Sequence, residues 1–228
     1  IDDLIGGVLE ELESQELRES TLVVFTSDHG DYAGQFGLVE KWDASLHDSL
    51  LNVPLILSGP SIPEGHRFAG LSEHVDLPAT FCDLLGLEPP VDWNWHGTSL
   101  RPALAGEAVK EAVFADGGHE SSMRARFNAA SWREKNGVKV KATDGKQLTY
   151  AKCPDAMARC KMVRTSEWKM VIRETGDHEL YNLKSDPQEL RNIFPNARKN
   201  LLIDLQMCLL QWSLLTDPDR PFISSFSA

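Results

Sequence analysis

The 228-residue chain has no uninterrupted run of about eighteen apolar residues, so no segment of it reads as a membrane-spanning helix. It also lacks an excess of positive charge. Its 23 Lys and Arg stand against 34 Asp and Glu, and the formal net charge of -11 opposes broad binding to nucleic acid or anionic lipid, both of which need clustered positive potential. An anionic ligand would have to be held by a few local groups. Cysteine is scarce: Cys82, Cys153, Cys160 and Cys208 are too few to define a disulfide framework, and no CxxC metal pattern occurs. Cys153 and Cys160 flank a short Pro-containing segment, which leaves two readings open, a small bridge in an exported protein or two ordinary thiols. Internal repeats and low-complexity tracts are absent too. What is present is an ordinary globular balance, 42% hydrophobic and 25% charged residues, so most of the chain is expected to fold. The sequence opens at Ile1 directly in a helical pattern, without methionine or signal peptide, and reads as the interior of something longer.

Apolar residues recur every three to four positions from Ile1 to Leu12, which predicts a helix ending near Arg18. The runs at residues 21–26 and 53–58 are short, unbroken and rich in β-branched side chains, as in strands buried on both faces. Helix, strand, loop and strand in that order predict a parallel α/β layer. Residues 76–86 read as a helix with Pro78 in its first turn and Gly86 just past its end. The turn-rich stretch 88–106 is the expected boundary, giving units 1–106 and 107–228. In the second unit Val113-Phe114-Ala115 reads as a short strand, and residues 161–165, 168–173 and 179–183 read as an antiparallel meander with one wet face. A last helix is expected over 197–215, with Leu201, Leu202, Leu205, Leu209 and Trp212 along one stripe. The expected fold class is α/β: a partial parallel or mixed sheet flanked by helices, followed by a smaller α+β subdomain with an antiparallel sheet and a C-terminal helix.

The strongest chemical feature is Thr26-Ser27-Asp28-His29-Gly30-Asp31 at the carboxyl end of the first strand, the end at which open α/β sheets place their sites. Asp28 offers a charged oxygen and His29 a nitrogen, and Gly30 lets the backbone turn close to a ligand. The competing reading is a tight turn with a surface histidine. Two adjacent ligands never complete a coordination shell by themselves.

The block Leu22-Val23-Val24-Phe25-Thr26-Ser27-Asp28-His29-Gly30, then Gly34-Gln35-Phe36-Gly37-Leu38-Val39-Glu40-Lys41, then Asn52-Val53-Pro54-Leu55-Ile56-Leu57 resembles the second half of the sulfatase catalytic domain, within the alkaline phosphatase superfamily. The resemblance continues through residues 74–80 and Gly97-Thr98-Ser99-Leu100, and resumes at residues 163–169 and 179–190, a pattern of the sulfatase carboxyl-terminal subdomain. Only residues 118–158 find no counterpart. The resemblance implies a sulfuric ester hydrolase with an alkaline phosphatase-like fold. Asp28 and His29 correspond to metal ligands, for calcium by family habit, whereas an imidazole by itself points to zinc or manganese. Lys41 corresponds to the lysine that contacts the sulfate group, its alternative being a solvated surface lysine.

The sequence also departs from the family. The interval from Lys41 to His47-Asp48 is about two residues longer than the common spacing, and Asn52 stands where an arginine is frequent. The Cys/Ser-x-Pro-x-Arg motif whose first residue becomes formylglycine does not occur, so the nucleophile is expected upstream, in a missing N-terminal half of the same protein. The chain by itself is then expected to be inactive, with a phosphate or phosphonate ester hydrolase or a non-catalytic module as alternatives. By resemblance the substrate is a sulfated small molecule or carbohydrate, and the compartment periplasmic, secreted or lysosomal. His47 reads more simply as a structural histidine than as a site residue. Asp116-Gly117-Gly118-His119-Glu120 reads as a polar turn or a pocket lining, and Trp93 and Trp95 beside His96 as packing or a sugar-stacking surface.

Overall fold

In the computed structural model, which describes residues 1–89, 96–119, 149, 150 and 152–216, the chain forms two compact units. One comprises residues 1–40 and 49–109, the other residues 41–48 and 110–228.

The first unit opens with helix α1 (Asp2–Ser14), four residues shorter than the periodicity predicts, and the chain then makes a short 3-10 turn at Arg18–Ser20. Strand β1 (Val23–Thr26) follows, then a small hairpin of β2 (Tyr32–Ala33) and β3 (Val39–Glu40), the single helical turn α2 (Asp48–Leu51), strand β4 (Leu55–Ser58) and helix α3 (Asp76–Leu85). The two apolar runs do pair, but antiparallel, with Val23 opposite Ser58 and Thr26 opposite Leu55. This corrects the parallel layer expected from element order. An apolar, β-branched run reports that a strand is to be covered; its direction is decided by where the intervening hairpin and turn return the chain. Nor are both faces buried. Ile56 is 57% exposed, and Ile1 and, on α1, Leu4 and Val8 are exposed as well. The isolated chain is therefore expected to self-associate through this apolar surface. Sedimentation velocity over a range of concentrations checks it, and a monomer throughout would contradict it.

Helix α3 behaves as its sequence reads. Pro78 sits in the first turn, and Gly86 ends the helix in the left-handed region (φ 65°), its N–H bonded to the Cys82 carbonyl. Asp76 is fully buried because its carboxylate serves two backbone donors, the N–H of Glu73 at 2.8 Å and that of Thr98 at 2.9 Å. Thr80 donates to the Asp76 carbonyl and accepts from the Leu100 N–H. Two separate sequence blocks, 74–80 and 97–100, are thereby stitched together by hydrogen bonds that leave no buried donor unpaired at this point.

The second unit is built on an antiparallel sheet in the order β5 (Ala112–Gly117), β6 (Cys160–Thr165), β7 (Trp168–Arg173) and β8 (Glu179–Asn182), followed by helix α4 (Lys199–Thr216). The meander and the last helix match the sequence reading to within two residues. β5 is longer than expected because six residues of β6 pair with it. One sheet face carries Val163, Met170 and Leu180 against Leu205 and Leu209 of α4, with Phe114 stacked on Trp212 at 5.0 Å. The expected helix stripe is thus the core of this unit. The opposite face packs Cys160, Met162 and Val171 on Ala44 and Leu46, and it also carries Arg164, Lys169 and Arg173. The Cys160 thiol is buried and donates to the Ala44 carbonyl at 3.4 Å, while Cys153 is exposed. All four cysteines are free, so of the two open readings the thiol pair holds in this structure. No helix among the described residues is long and apolar enough to cross a membrane.

Candidate functional site

β1 delivers the chain at Thr26, and the next four residues form a turn held by its own polar groups. Ser27 Oγ donates to the His29 carbonyl at 2.7 Å, and the Gly30 N–H donates to the Leu50 carbonyl at 2.8 Å. Gly30 lies so close to the Ser49 carbonyl that a Cβ there would collide with it. His29 Nδ1 is 2.8 Å from the Gly30 carbonyl oxygen, which can only accept, so this nitrogen carries the proton and Nε2 presents its lone pair. That Nε2 stands 3.4 Å from Asp28 Oδ2, while Asp28 Oδ1 accepts the His29 N–H at 2.9 Å. The imidazole and the carboxylate thus lie side by side at the end of β1. Asp28 is 84% exposed and His29 31%, so an ion can reach them. Among the described residues no group of three or more His, Cys, Asp or Glu side chains could hold a metal ion.

Lys41 is exposed and leaves β3 into the second unit, where residues 41–48 run without a ladder of their own. Their anchors come from the sheet and the segments beside it. Asp43 Oδ2 accepts from His119 Nε2 and from the Tyr150 hydroxyl, both at 2.9 Å, and the Asp43 carbonyl accepts the Gly118 N–H at 2.6 Å. Burial, with the Asp43 carboxylate beside it, pushes the Tyr150 phenol above its ordinary value. The Ala44 carbonyl receives Arg173 Nη1 at 2.8 Å. At the far end of the segment, Lys169 Nζ lies 2.9 Å from Asp48 Oδ1 and 2.8 Å from Glu189 Oε2, with Arg164 Nη2 3.2 Å from Asp48 Oδ2. Lys169 is completely buried. Burial alone would raise the Asp48 carboxyl, but Lys169 and Arg164 hold it below the usual aspartate value; burial does push Glu189 up.

The Asp28–His29 pair is therefore brought together within the first unit, and Lys41 is carried by the second. His47 is structural, its Nε2 on the Gln188 carbonyl at 3.1 Å. The 116–120 cluster divides. Asp116 pairs with Lys161 at 2.9 Å while His119 turns to Asp43, so they do not form one pocket lining. Glu120, Trp93, Trp95 and most of 118–158 lie outside the described residues. Sequence reasoning missed Lys169, Asp43 and Tyr150. Only Lys169 had a local signal, a lone cation in the apolar strand Trp168-Lys169-Met170-Val171-Ile172.

The architecture is shared with solved structures. One, determined in complex with its substrate D-glucosamine-2-N,6-O-disulfate, matches at a TM-score of 0.71 and 24% identity over 96% of this chain and 40% of its own. The phosphonate monoester hydrolase of Agrobacterium radiobacter matches at 0.70 and 24% identity, over 93% and 39% respectively. These likenesses show a shared fold. Sequence comparison adds further likenesses. The sulfatase family profile matches residues 1–87; the N-acetylglucosamine-6-O-sulfatase of Bacteroides thetaiotaomicron is 28% identical over 86% of this chain and 30% of its own length, and arylsulfatase K of Gallus gallus is 29% identical over 88% and 33%. The chain is similar in sequence to sulfatases, and it spans about a third of the length of these curated relatives.

Proposed function

We propose that the chain supplies part of the metal and sulfate site of a sulfuric ester hydrolase. The observation that carries this reading is the convergence of His29 Nε2 and Asp28 Oδ2 at 3.4 Å, with the histidine tautomer set by the Gly30 carbonyl. Asp28 and His29 would hold calcium, with zinc or manganese as the alternative suited to the imidazole. A bound cation would supply Lewis-acid polarisation of the sulfate oxygens. Lys41 places a positive charge against oxygen charge that develops as the ester bond breaks. The attacking group, a formylglycine hydrate, is assigned to residues outside these 228, since no Cys/Ser-x-Pro-x-Arg motif occurs among them. A sulfated sugar is the proposed substrate, supported by the N-acetylglucosamine-6-O-sulfatase relative, and a secreted, periplasmic or lysosomal compartment follows the same family habit.

The metal part is tested on the 228-residue chain. Isothermal titration with calcium, zinc and manganese should show binding by one of them, weakened about tenfold or more by Asp28→Asn and by His29→Ala; identical isotherms for the variants would overturn the assignment. The chemistry is tested on a protein of the relatives' length. A sulfate ester should be hydrolysed faster than its phosphate or phosphonate analogue, and the reverse ranking would favour the chemistry of the phosphonate monoester hydrolase that shares the fold. No turnover of either ester would favour a non-catalytic module.

A further inference from the structure

A lysine that meets a sulfate oxygen does useful work only if its backbone is held to within a fraction of an ångström of the right place. Lys41 opens residues 41–47, which lie between β3 and α2 outside any helix or strand. We propose that Asp43 is the positioning residue for Lys41, acting through a clasp made with His119 and Tyr150. This rests on the reading of Lys41 as a sulfate contact.

Three groups of Asp43 are engaged from outside the segment. Its carbonyl takes the Gly118 N–H, its N–H faces the Tyr150 hydroxyl at 3.4 Å, and one carboxylate oxygen accepts from both Tyr150 and His119. Backbone and side chain of Asp43 are thereby bound at once, two residues from Lys41. Trp42, the residue between, adds an edge-on ring contact with Tyr150 at 5.6 Å. His119 is itself anchored, its N–H on the Met157 carbonyl at 2.8 Å, and Gly118 and His119 continue directly from β5. The clasp thus refers the position of Lys41 to the rigid sheet. Asp43 and His119 keep about a third of their side-chain surface exposed (32% and 30%) while Tyr150 is buried, and the buried ion cluster of Asp48 and Lys169 lies at the segment's other end.

The experiment measures sulfate protection of Lys41. The 228-residue chain is treated with an amine-acylating reagent at rising sodium sulfate, ionic strength being held with sodium chloride, and the modification of Lys41 is read by peptide mass spectrometry. Sulfate is expected to protect Lys41 in the wild type. Asp43→Asn and Tyr150→Phe should raise the half-protecting concentration about five- to tenfold, while the acylation rate without sulfate and the urea midpoint of Tyr150→Phe stay near wild type. Tyr150→Phe keeps the ring against Trp42 and so remains informative if Asp43→Asn folds poorly. Unchanged protection in a folded Tyr150→Phe variant would show the clasp to be structural only and overturn the proposal, leaving the Lys41 reading intact. Absence of protection in the wild type would overturn the Lys41 reading and the proposal with it.

Discussion

Replacing Lys169 by alanine is expected to lower the stability of the second unit by about 3–5 kcal/mol, the range for removing one partner of a buried ion pair. The ammonium is fully buried between Asp48 and Glu189, and its loss leaves two carboxylates close together, with Arg164 still beside Asp48 and His47 beside Glu189. Lys169→Met keeps most of the volume and should be almost as costly, since the damage is uncompensated charge rather than a cavity. The two acids should differ. Asp48 has a folded value below its ordinary 3.8, so its contribution is present above that value and is lost as the pH falls through the lowered one. Glu189 has a folded value above its ordinary 4.5, so its contribution is present below 4.5 and is lost as the pH rises through the raised value. At neutral pH Asp48→Asn is therefore expected to destabilise more than Glu189→Gln, and the Asn variant should lose less stability on acidification than wild type. Urea unfolding between pH 3 and 8, followed by tryptophan fluorescence, checks both statements. A loss below about 1 kcal/mol for Lys169→Ala would mean that water reaches the cluster and that the pair is worth no more than a surface one.

Gly30→Ala is the second large effect. The new Cβ would meet the Ser49 carbonyl, a backbone group that cannot swing aside as the end of a side chain can. Relief requires parting the Gly30 N–H from the Leu50 carbonyl, and the same movement carries away the Gly30 carbonyl that sets the His29 tautomer. An overpacking cost of about 3 kcal/mol is expected. The distinguishing consequence is chemical: the variant should lose metal affinity about as far as His29→Ala does, although both ligands remain in the sequence. Wild-type metal affinity in a folded Gly30→Ala variant would show that the turn does not orient the pair.

Much of this could be seen in the residues alone because it depends on local pattern. Pro78 and Gly86 bracket α3, the alternating strands 161–165 and 168–173 form the meander, and Leu205 and Leu209 lie on the buried stripe of α4. Asp28, His29 and Gly30 stood out for the same reason, three neighbours at a strand end. What failed was non-local. The relative direction of β1 and β4 is a matter of how the chain between them returns, which apolar composition does not encode.

By itself the sequence determined the elements, a resemblance to sulfatases and the candidate ligand pair, because helix period, strand alternation and contiguous motifs are properties of neighbours. Only the tertiary structure decided that residues 41–48 belong with the second unit, that Asp43 meets His119 and Tyr150, and that Lys169 is a buried cation rather than a solvated strand residue. Those partners are 76, 107 and 121 positions apart along the chain, and desolvated charges and shared hydrogen bonds at such separations exist only once the sheet has brought them together.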